Sequence, residues 1–171
     1  MCIRDSDNDE RWLYLPVTKK ARRIPSSDRG DYFLGTDFTY QDINEQLKFD
    51  SNDYTFSYVT ESTINGRPTH VINARPVSEK ISKELGYGGL VAHIDEASWL
   101  PIEIDFVDPQ QQPLKKVSVE KFEKIDGIWT PLKIEASNYQ TGHKTIFEYT
   151  NIEYLSELDV KMFKPDAIND N

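Results

Sequence analysis

The residues best suited to chemistry are three histidines, and they are scattered along the chain. His70, His93 and His143 are too far apart in sequence for a recognised metal motif. His93 and Asp95 lie two residues apart, so they can share one face of a strand. Two ligands do not make a metal site, which needs three or four. We therefore expect no bound metal.

The remaining candidates for catalysis are equally isolated. Glu103 and Asp105 also share a strand face, where acid–base work would need a perturbing environment, and we expect them on a polar exterior. The glycine-rich run at Gly86–Gly89 lacks the lysine and hydroxyl residue of a phosphate-binding loop, and no nucleophile-elbow motif occurs. The single cysteine, Cys2, excludes an intramolecular disulfide. We expect a non-enzymatic protein without a cofactor.

The length and net charge of the chain exclude further classes of protein. The chain has 171 residues, which suits a single domain, and its 20 basic and 29 acidic residues give a net charge of −9. Nucleic-acid binding needs a basic footprint, so that class is excluded. No apolar run approaches the ~18 residues of a membrane-spanning helix, so we expect a protein that does not span the membrane.

The first residues lack the apolar core and cleavage site of a signal peptide. We interpret the chain as a fragment with a disordered or artefactual tail over residues 1–10; the alternative is a genuine start with a short charged tail. A single β domain is expected over residues 11–165, and a second tail over residues 166–171.

Period-two alternation of apolar and polar residues dominates the chain and predicts half-buried strands. It runs through residues 54–59, 70–75, 100–106, 128–136 and 143–149. Turn signals separate these runs, including Asn65-Gly66 and Asp126-Gly127, and Arg11–Val17 pairs with Ala21–Pro25. The pattern predicts eight or nine antiparallel strands in sequential order.

Helix is scarce in the sequence. Short helices are predicted within Asp37–Phe49, with Asp37 as its cap, within Ser78–Leu85, stopped by Gly86, and within Leu155–Phe163. Few helices and many strands leave a broad apolar sheet face to cover. A closed barrel, a second sheet, or a curved sheet with a hollow for missing helices or a ligand would each cover it.

Eleven residues on the apolar face of the predicted strands are candidates for lining such a hollow. Each could equally belong to a filled core, because core and cavity need the same residue types. They are Tyr54, Phe56, Tyr58, Ile72, Leu100, Ile102, Ile104, Phe106, Leu132, Ile134 and Phe147.

Two other features precede these strands. Residues 11–30 contain six basic residues against one acidic residue, which could form a rim for anionic headgroups or a solvated hairpin protected by charge. The Ser26–Asp42 segment interleaves aromatic residues with aspartates and arginines. It could be a lid or partner-docking loop, or simply a loop tied to the sheet.

Several runs resemble the LolA-like family of outer membrane lipoprotein-sorting proteins over residues 11–165. The runs that carry the resemblance are Trp12-Leu13-Tyr14-Leu15-Pro16, Arg22-Arg23-Ile24, Ser26-Ser27-Asp28-Arg29, residues 33–42, Trp99-Leu100-Pro101, Gly127-Ile128-Trp129-Thr130-Pro131 and Phe163. The signature residues that could form a rim or contact a partner are Arg22, Arg23, Asp28, Arg29, Phe33, Gly35, Asp37, Phe38, Tyr40 and Asp42.

The resemblance implies a mainly β fold, in which a curved antiparallel sheet forms a half-open barrel closed by a few helices, in the periplasm or at the cell envelope. LolA itself carries the acyl chains of lipoproteins, so the resemblance implies a lipid or lipoprotein carrier that shields acyl chains. Members of this group are often associated with resistance-nodulation-division transporters of the inner membrane, so the alternative is a module that docks on such a complex without carrying lipid. This chain departs from the family pattern by lacking the signal peptide, the first strands and the first helix.

Overall fold

A computed structural model describes residues 2–4, 11–15, 20–45 and 47–154. In these residues the fold consists of two antiparallel sheets, two short α-helices, and two 3-10 helices at Ser26–Asp28 and Phe33–Gly35. The small sheet contains β1 (Cys2–Arg4), β2 (Arg11–Leu15) and β3 (Lys20–Ile24). The large sheet contains β4 (Tyr54–Ile64), β5 (Arg67–Pro76), β6 (Gly89–Asp95), β7 (Pro101–Val107), β8 (Pro113–Ile125), β9 (Ile128–Asn138) and β10 (Lys144–Glu148).

The seven strands of the large sheet follow one another in sequential antiparallel order, as predicted. Positive φ angles at Asn65 and Gly66, and again at Asp126 and Gly127, form the two-residue turns that the sequence indicated. The sheet stays open, with β4 and β10 at its two edges. This confirms the mainly β, half-open architecture.

Alternation along the strands separates the two faces of the large sheet. One face carries the buried core, which includes Ala74, Leu90, Ala92, Ile104 and Ala136. Cross-strand partners share a face. Ala74 lies opposite Leu90, and Ala92 lies opposite Ile104, so these residues form one apolar surface. We call this surface the inner face. The outer face carries ion pairs such as Lys116 with Glu103, 3.1 Å apart.

The structure differs from the predictions at one edge strand of each sheet. The alternation at β4 does not bury its residues beyond Tyr54, because no described helix covers that part of the inner face, and Phe56 and Tyr58 are exposed. Residues Cys2–Arg4 were expected in a tail, yet they pair with β2 as a strand because β2 offers its backbone groups there.

Helix α2 (Glu79–Leu85) begins and ends as the sequence predicts. The Ser78 side chain accepts a hydrogen bond from the Ile81 backbone N–H, and Gly86 adopts a left-handed conformation with φ of 75°. Helix α1 (Tyr40–Glu45) lies within the predicted range, and its cap is Thr39 rather than Asp37. Thr39 and Asp42 exchange side-chain-to-backbone hydrogen bonds, which forms a capping box.

Some predictions lie outside the described residues. These are most of the tail at residues 1–10, Pro16 in the family signature, the helix at Leu155–Phe163 with its Phe163, and the tail at residues 166–171. Among the described residues, none of the helices has the length and hydropathy required to cross a bilayer.

A buried carboxylate clamps the turn between β6 and β7. Asp95 is 1% exposed and accepts two hydrogen bonds from the Arg67 guanidinium, at 2.6 and 2.9 Å. It also accepts from the backbone N–H and the hydroxyl of Ser98. Since Arg67 begins β5, this clamp joins two neighbouring hairpins.

The clamp predicts a pH dependence of stability. Hydrogen bonds from Arg67, and then Ser98, outweigh burial and lower the pKa of Asp95 from 3.8 to about 2. A lowered folded-state pKa stabilises the protein above pH 4, and the contribution is lost as the pH falls towards 2. We expect at most about 2 kcal/mol of unfolding free energy to disappear over this range, measured by urea unfolding.

Asp95→Asn removes the titrating group and should flatten the pH dependence between 4 and 2. Glu123→Gln is the control, because Glu123 forms an exposed ion pair with Lys121 and should change stability by less than about 0.5 kcal/mol. An unchanged pH slope in Asp95→Asn would contradict the assignment.

Candidate functional site: an apolar hollow beneath helix α1

Residues 26–45, which include α1, cover part of the inner face, and we call them the cover. A buried arginine, Arg29, holds the cover in place. Arg29 donates hydrogen bonds to Asp53 at 2.7 Å and to Glu84 of α2 at 3.2 Å. The next residue, Gly30, packs against the backbone of Leu85 and Gly86 so closely that a Cβ atom would lie 2.8 Å from it. Only glycine fits this contact, which brings the chain onto α2 before it turns over the sheet.

Aspartate and aromatic residues then fasten the segment to strand β10. The Asp37 carboxylate accepts a hydrogen bond from the Thr145 hydroxyl at 2.7 Å, and the Asp37 backbone N–H donates to the same hydroxyl. Phe38 stacks on Phe147 with ring centroids 4.6 Å apart. These contacts place α1 directly over the inner face.

The central contact between α1 and the sheet is a buried ion pair. Lys115 of β8 is fully buried, and its ammonium group binds the Asp42 carboxylate of α1 and the Asp37 carbonyl oxygen, 2.9 Å away. The ammonium also lies 5.1 Å from the Tyr87 ring centroid and 5.4 Å from that of Phe106.

The second Asp42 oxygen accepts a hydrogen bond from the Tyr87 hydroxyl at 2.8 Å, and that hydroxyl also lies 3.1 Å from the Thr39 hydroxyl. Burial, and then the charge of Asp42, raise the pKa of Tyr87 well above its ordinary value. The hydroxyl therefore stays protonated and remains a donor. The charged groups of this cluster satisfy one another.

Between α1 and the inner face lies a cavity of about 300 Å³. Most of its wall is aromatic or aliphatic, and the described polar groups include Asp42, Thr130 and Lys48. Its wall is made by Phe38, Gln41, Asp42, Ile43, Leu47, Lys48, Phe49, Tyr54, Tyr87, Ile104, Phe106, Val117, Thr130, Pro131, Ile134, Phe147, Tyr149, Ile152 and Tyr154.

Five of the eleven residues predicted to line a hollow lie in this wall: Tyr54, Ile104, Phe106, Ile134 and Phe147. The other six lie elsewhere, because α1 covers only part of the inner face. Ile102 is buried, Ile72, Leu100 and Leu132 are half-buried, and Phe56 and Tyr58 are exposed.

The ten signature residues divide into an inner and an outer group. Arg29, Asp37, Phe38 and Asp42 fasten the cover, while Phe33 and Tyr40 pack edge to face, 5.5 Å apart. Arg22 and Arg23 are exposed on β3, with Arg22 lying 3.7 Å from Asp28, and Gly35 has a positive φ of 79° in open space.

The residues that sequence reasoning missed are Lys115, Tyr87 and those that follow β10. Lys115, Val117 and Val119 are two residues apart in turn and lie on the same side of β8, so period-two patterning predicts that the Lys115 side chain lies on the inner face. Tyr87 lies in the glycine-rich run Gly86–Gly89, which predicts the end of a helix before a strand and gives no sign of a buried ring. Tyr149 ends the alternating run 143–149 on the same side as Phe147, whereas Ile152 and Tyr154 show no periodic pattern, so nothing in the sequence indicates those two.

The candidate catalytic residues are separated by the fold. Glu103 and Asp105 lie on the outer face, where Glu103 pairs with Lys116. His93 is the cross-strand neighbour of Glu103, and Asp95 is engaged by Arg67. Within residues 2–4, 11–15, 20–45 and 47–154, no three histidine, cysteine or acidic residues gather as metal ligands would.

Replacing Lys115 tests whether its ion pair with Asp42 holds the cover on the large sheet. Lys115→Met leaves the Asp42 carboxylate buried without its cation, which should destabilise the protein by about 3 to 5 kcal/mol. Urea unfolding measures the change. Lys116→Met is the matched control on the same strand, since it removes a partly exposed pair and should cost less than about 1 kcal/mol. Equal losses in the two variants would show that the buried pair has no special role.

Solved structures with a similar fold come from three bacteria. A domain assigned as an outer membrane lipoprotein-sorting protein from Vibrio parahaemolyticus is 26% identical with a TM-score of 0.83, covering 94% of this chain and 66% of that one. A DUF1329 family protein from Desulfovibrio piger is 26% identical with a TM-score of 0.82, covering 95% and 66%. A LolA superfamily protein from Nitrosomonas europaea, 18% identical with a TM-score of 0.64 over 92% and 67%, shares the fold.

The chain thus spans 66% of the length of each of the first two structures. No curated protein matches it. A family model described as an uncharacterized protein matches residues 2–170. The chain therefore belongs to the family of that model, and its fold is the one seen in the lipoprotein-sorting and LolA superfamily domains.

Proposed function

We propose that this protein is a non-enzymatic carrier of the bacterial periplasm or envelope that shields the acyl chain of a lipid or lipoprotein in the hollow beneath α1. The observation that carries the proposal is the apolar cavity of about 300 Å³ inside a folded chain. Cavities that hold small ligands begin at about this volume. Each methylene group buried there contributes roughly 0.8 kcal/mol.

The polar groups of the wall support binding rather than reaction. Lys115, Asp42 and Tyr87 neutralise and hydrogen-bond one another, so they offer no free acid, base or nucleophile to a bound molecule. Thr130 and Tyr154 bond to each other at 2.8 Å. An alkyl chain needs only exclusion from water, which the remaining aromatic and aliphatic wall supplies.

Native mass spectrometry with solvent extraction tests the proposal on the chain purified gently from a bacterial periplasm. A stoichiometric adduct that extracts as lipid or lipoprotein would support the carrier and identify the cargo class. A clean mass, with no uptake of lipid offered later, would overturn it.

A charge placed in the hollow should abolish binding. Ile43 of α1 is half-buried and faces the cavity, so Ile43→Asp puts a carboxylate where the alkyl chain would lie, and we expect at least a tenfold loss of lipid affinity. Ile146→Asp is the matched control, because Ile146 is exposed on β10. Equal affinity of both variants in a lipid-transfer assay would place the lipid elsewhere.

A second candidate function is an interaction module that docks on an envelope complex. The observation that favours it is an exposed basic strand beside an exposed loop: Arg22 extends into solvent on β3, and Leu34 is exposed in a left-handed conformation with φ of 50°. A bulky residue held in this strained conformation at the surface is often functional. The names of the three similar structures mention no transporter.

Charge reversal separates the two functions. If docking uses the basic strand, Arg22→Glu should weaken co-purification with an envelope partner at least tenfold and leave lipid uptake unchanged. Lys124→Glu, on the far part of β8, serves as the control. Unchanged co-purification of Arg22→Glu would count against the docking module.

A further inference from the structure

Strand β4 contains a β-bulge that moves an acidic side chain from one face of the large sheet to the other. Tyr58 pairs with Ile72 of β5, but the register then shifts by one residue, and Glu61 pairs with His70. Ile72 and His70 are two residues apart and share the inner face, so Tyr58 and Glu61 share it as well. Without the extra residue, Val59, their odd spacing would place them on opposite faces. Bulges are common at sheet edges and beside active sites, where they re-aim a side chain.

Three aromatic rings form a row beside Glu61 on the inner face. The Tyr58 ring lies 6.2 Å from the His70 ring, centroid to centroid, at an angle of 56°. His70 stacks on Trp99 of the β6–β7 turn, with centroids 5.8 Å apart and an angle of 23°. Since Glu61 and His70 are direct cross-strand partners, their Cβ atoms lie about 5 Å apart. We call Tyr58, Glu61, His70 and Trp99 the edge cluster.

The edge cluster is open to solvent. Trp99 is 70% exposed and Tyr58 is 58% exposed, Glu61 is exposed, and His70 is half-buried between the two outer rings. Single exposed hydrophobic residues are common, but contiguous exposed rings mark an interaction site. A ligand can therefore reach the rings and the carboxylate at the same time.

Trp99 is held in the cluster against a conformational preference. Its φ of 59° is left-handed, which is rare for a bulky residue. The clamp at Asp95 supports the strain, because the Trp99 backbone N–H donates to the Asp95 carbonyl oxygen at 2.8 Å and Ser98 binds the Asp95 carboxylate. Strain that is held this firmly points to a role for the exposed ring.

The acidic groups near the rings are not matched by basic ones. Glu61, and Glu96 in the turn that carries Trp99, are exposed, and neither forms an ion pair in the part of the chain that the structure describes. Arg67, which begins β5, binds Asp95 through two hydrogen bonds, so its charge is already matched. The local field therefore attracts a cation and repels an anion.

We propose that the edge cluster binds an alkylammonium group, the chemical class that includes choline, ethanolamine and the headgroups of zwitterionic lipids. The face of an aromatic ring attracts a cation, tryptophan most strongly, and quaternary ammonium ligands are recognised in this way. The Glu61 carboxylate adds the opposite charge. The site is separate from the hollow and does not require the protein to carry an acyl chain.

An organic cation fits the edge cluster better than a metal ion or an alkyl chain does. A calcium ion needs several oxygen ligands, and the edge cluster offers one carboxylate among rings. An alkyl chain would gain nothing from Glu61 and Glu96. An alkylammonium group uses both features, because its methyl or methylene groups contact the rings while its charge faces the carboxylate.

Calorimetric titration of the full chain with choline tests the proposal. Choline should bind at millimolar concentrations, and its neutral carbon isostere, dimethylbutanol, should bind at least tenfold more weakly. The methyl proton resonance of choline should move upfield in the complex, because ring currents shield protons above the face of a ring. Equal affinity for the two compounds would show that the rings bind only apolar groups and would overturn the proposal.

Two substitutions assign the binding to the edge cluster. Trp99→Leu removes the most exposed ring and Glu61→Gln removes the charge, and each should lower the affinity for choline at least fivefold. Tyr139→Leu is the matched control, because Tyr139 is an exposed ring beside another carboxylate, Asp105, to which it donates at 2.9 Å. A similar loss in all three variants would mean that any exposed ring with an acidic neighbour binds choline, which contradicts a built site.

Exchanging two neighbouring residues tests the bulge. Thr60 is exposed and pairs with Val71, so it lies on the outer face. Thr60→Glu/Glu61→Thr keeps the composition and the net charge but moves the carboxylate away from the rings. The affinity for choline should fall as much as in Glu61→Gln, whereas wild-type affinity would overturn the assignment. Urea unfolding of the exchange variant should match that of the wild type, because both positions are exposed on an edge strand.

Vesicles distinguish a free cation from a lipid headgroup. Binding to phosphatidylcholine vesicles that Trp99→Leu weakens at least fivefold would place the site at a membrane surface. Binding of choline without binding of these vesicles would identify a soluble cation as the ligand. Binding to anionic phosphatidylglycerol vesicles alone, or to neither choline nor any vesicle, would overturn the proposal.

Discussion

The ion pair between Lys115 and Asp42 is the contact on which the rest of the site depends. Removing both charges from water is costly, and the cost is offset only because each group is fully engaged: Lys115 by Asp42, the Asp37 carbonyl and two aromatic faces, and Asp42 by Lys115, Tyr87 and Thr39. A pair with such strict requirements allows one position of α1 over the sheet. The position of α1 in turn decides which part of the inner face becomes a hollow.

Partial cover explains why one continuous apolar face has two different environments. Beneath α1, residues such as Ile104 and Ile134 are buried and line a half-open cavity. Beyond it, Phe56 and Tyr58 lie on the same face and remain in contact with solvent. A longer helix or a second sheet would have filled this space as ordinary core. The open sheet instead keeps apolar surface available, which is what a carrier of alkyl chains requires.

The buried polar groups fix the positions of the structural elements relative to one another. Arg29 joins the cover to α2, Asp37 joins it to β10, and Arg67 with Asp95 fixes the turn that presents Trp99. Buried polar groups that satisfy one another specify geometry and are poor reagents. The same residues that make the fold precise are therefore engaged with one another.

By itself the sequence determined the seven strands of the large sheet, their order, the glycine turns and helix α2, because these follow from period-two patterning and local backbone preference. The family motifs already indicated a LolA-like domain. Only the tertiary structure decided which inner-face residues line the hollow, since a cavity and a core use the same side chains and differ only in what covers them. Tyr54 and Tyr58 belong to one pattern, yet one is enclosed and the other exposed. That difference arises from contacts between Asp42 and Lys115, 73 residues apart, which no local pattern encodes.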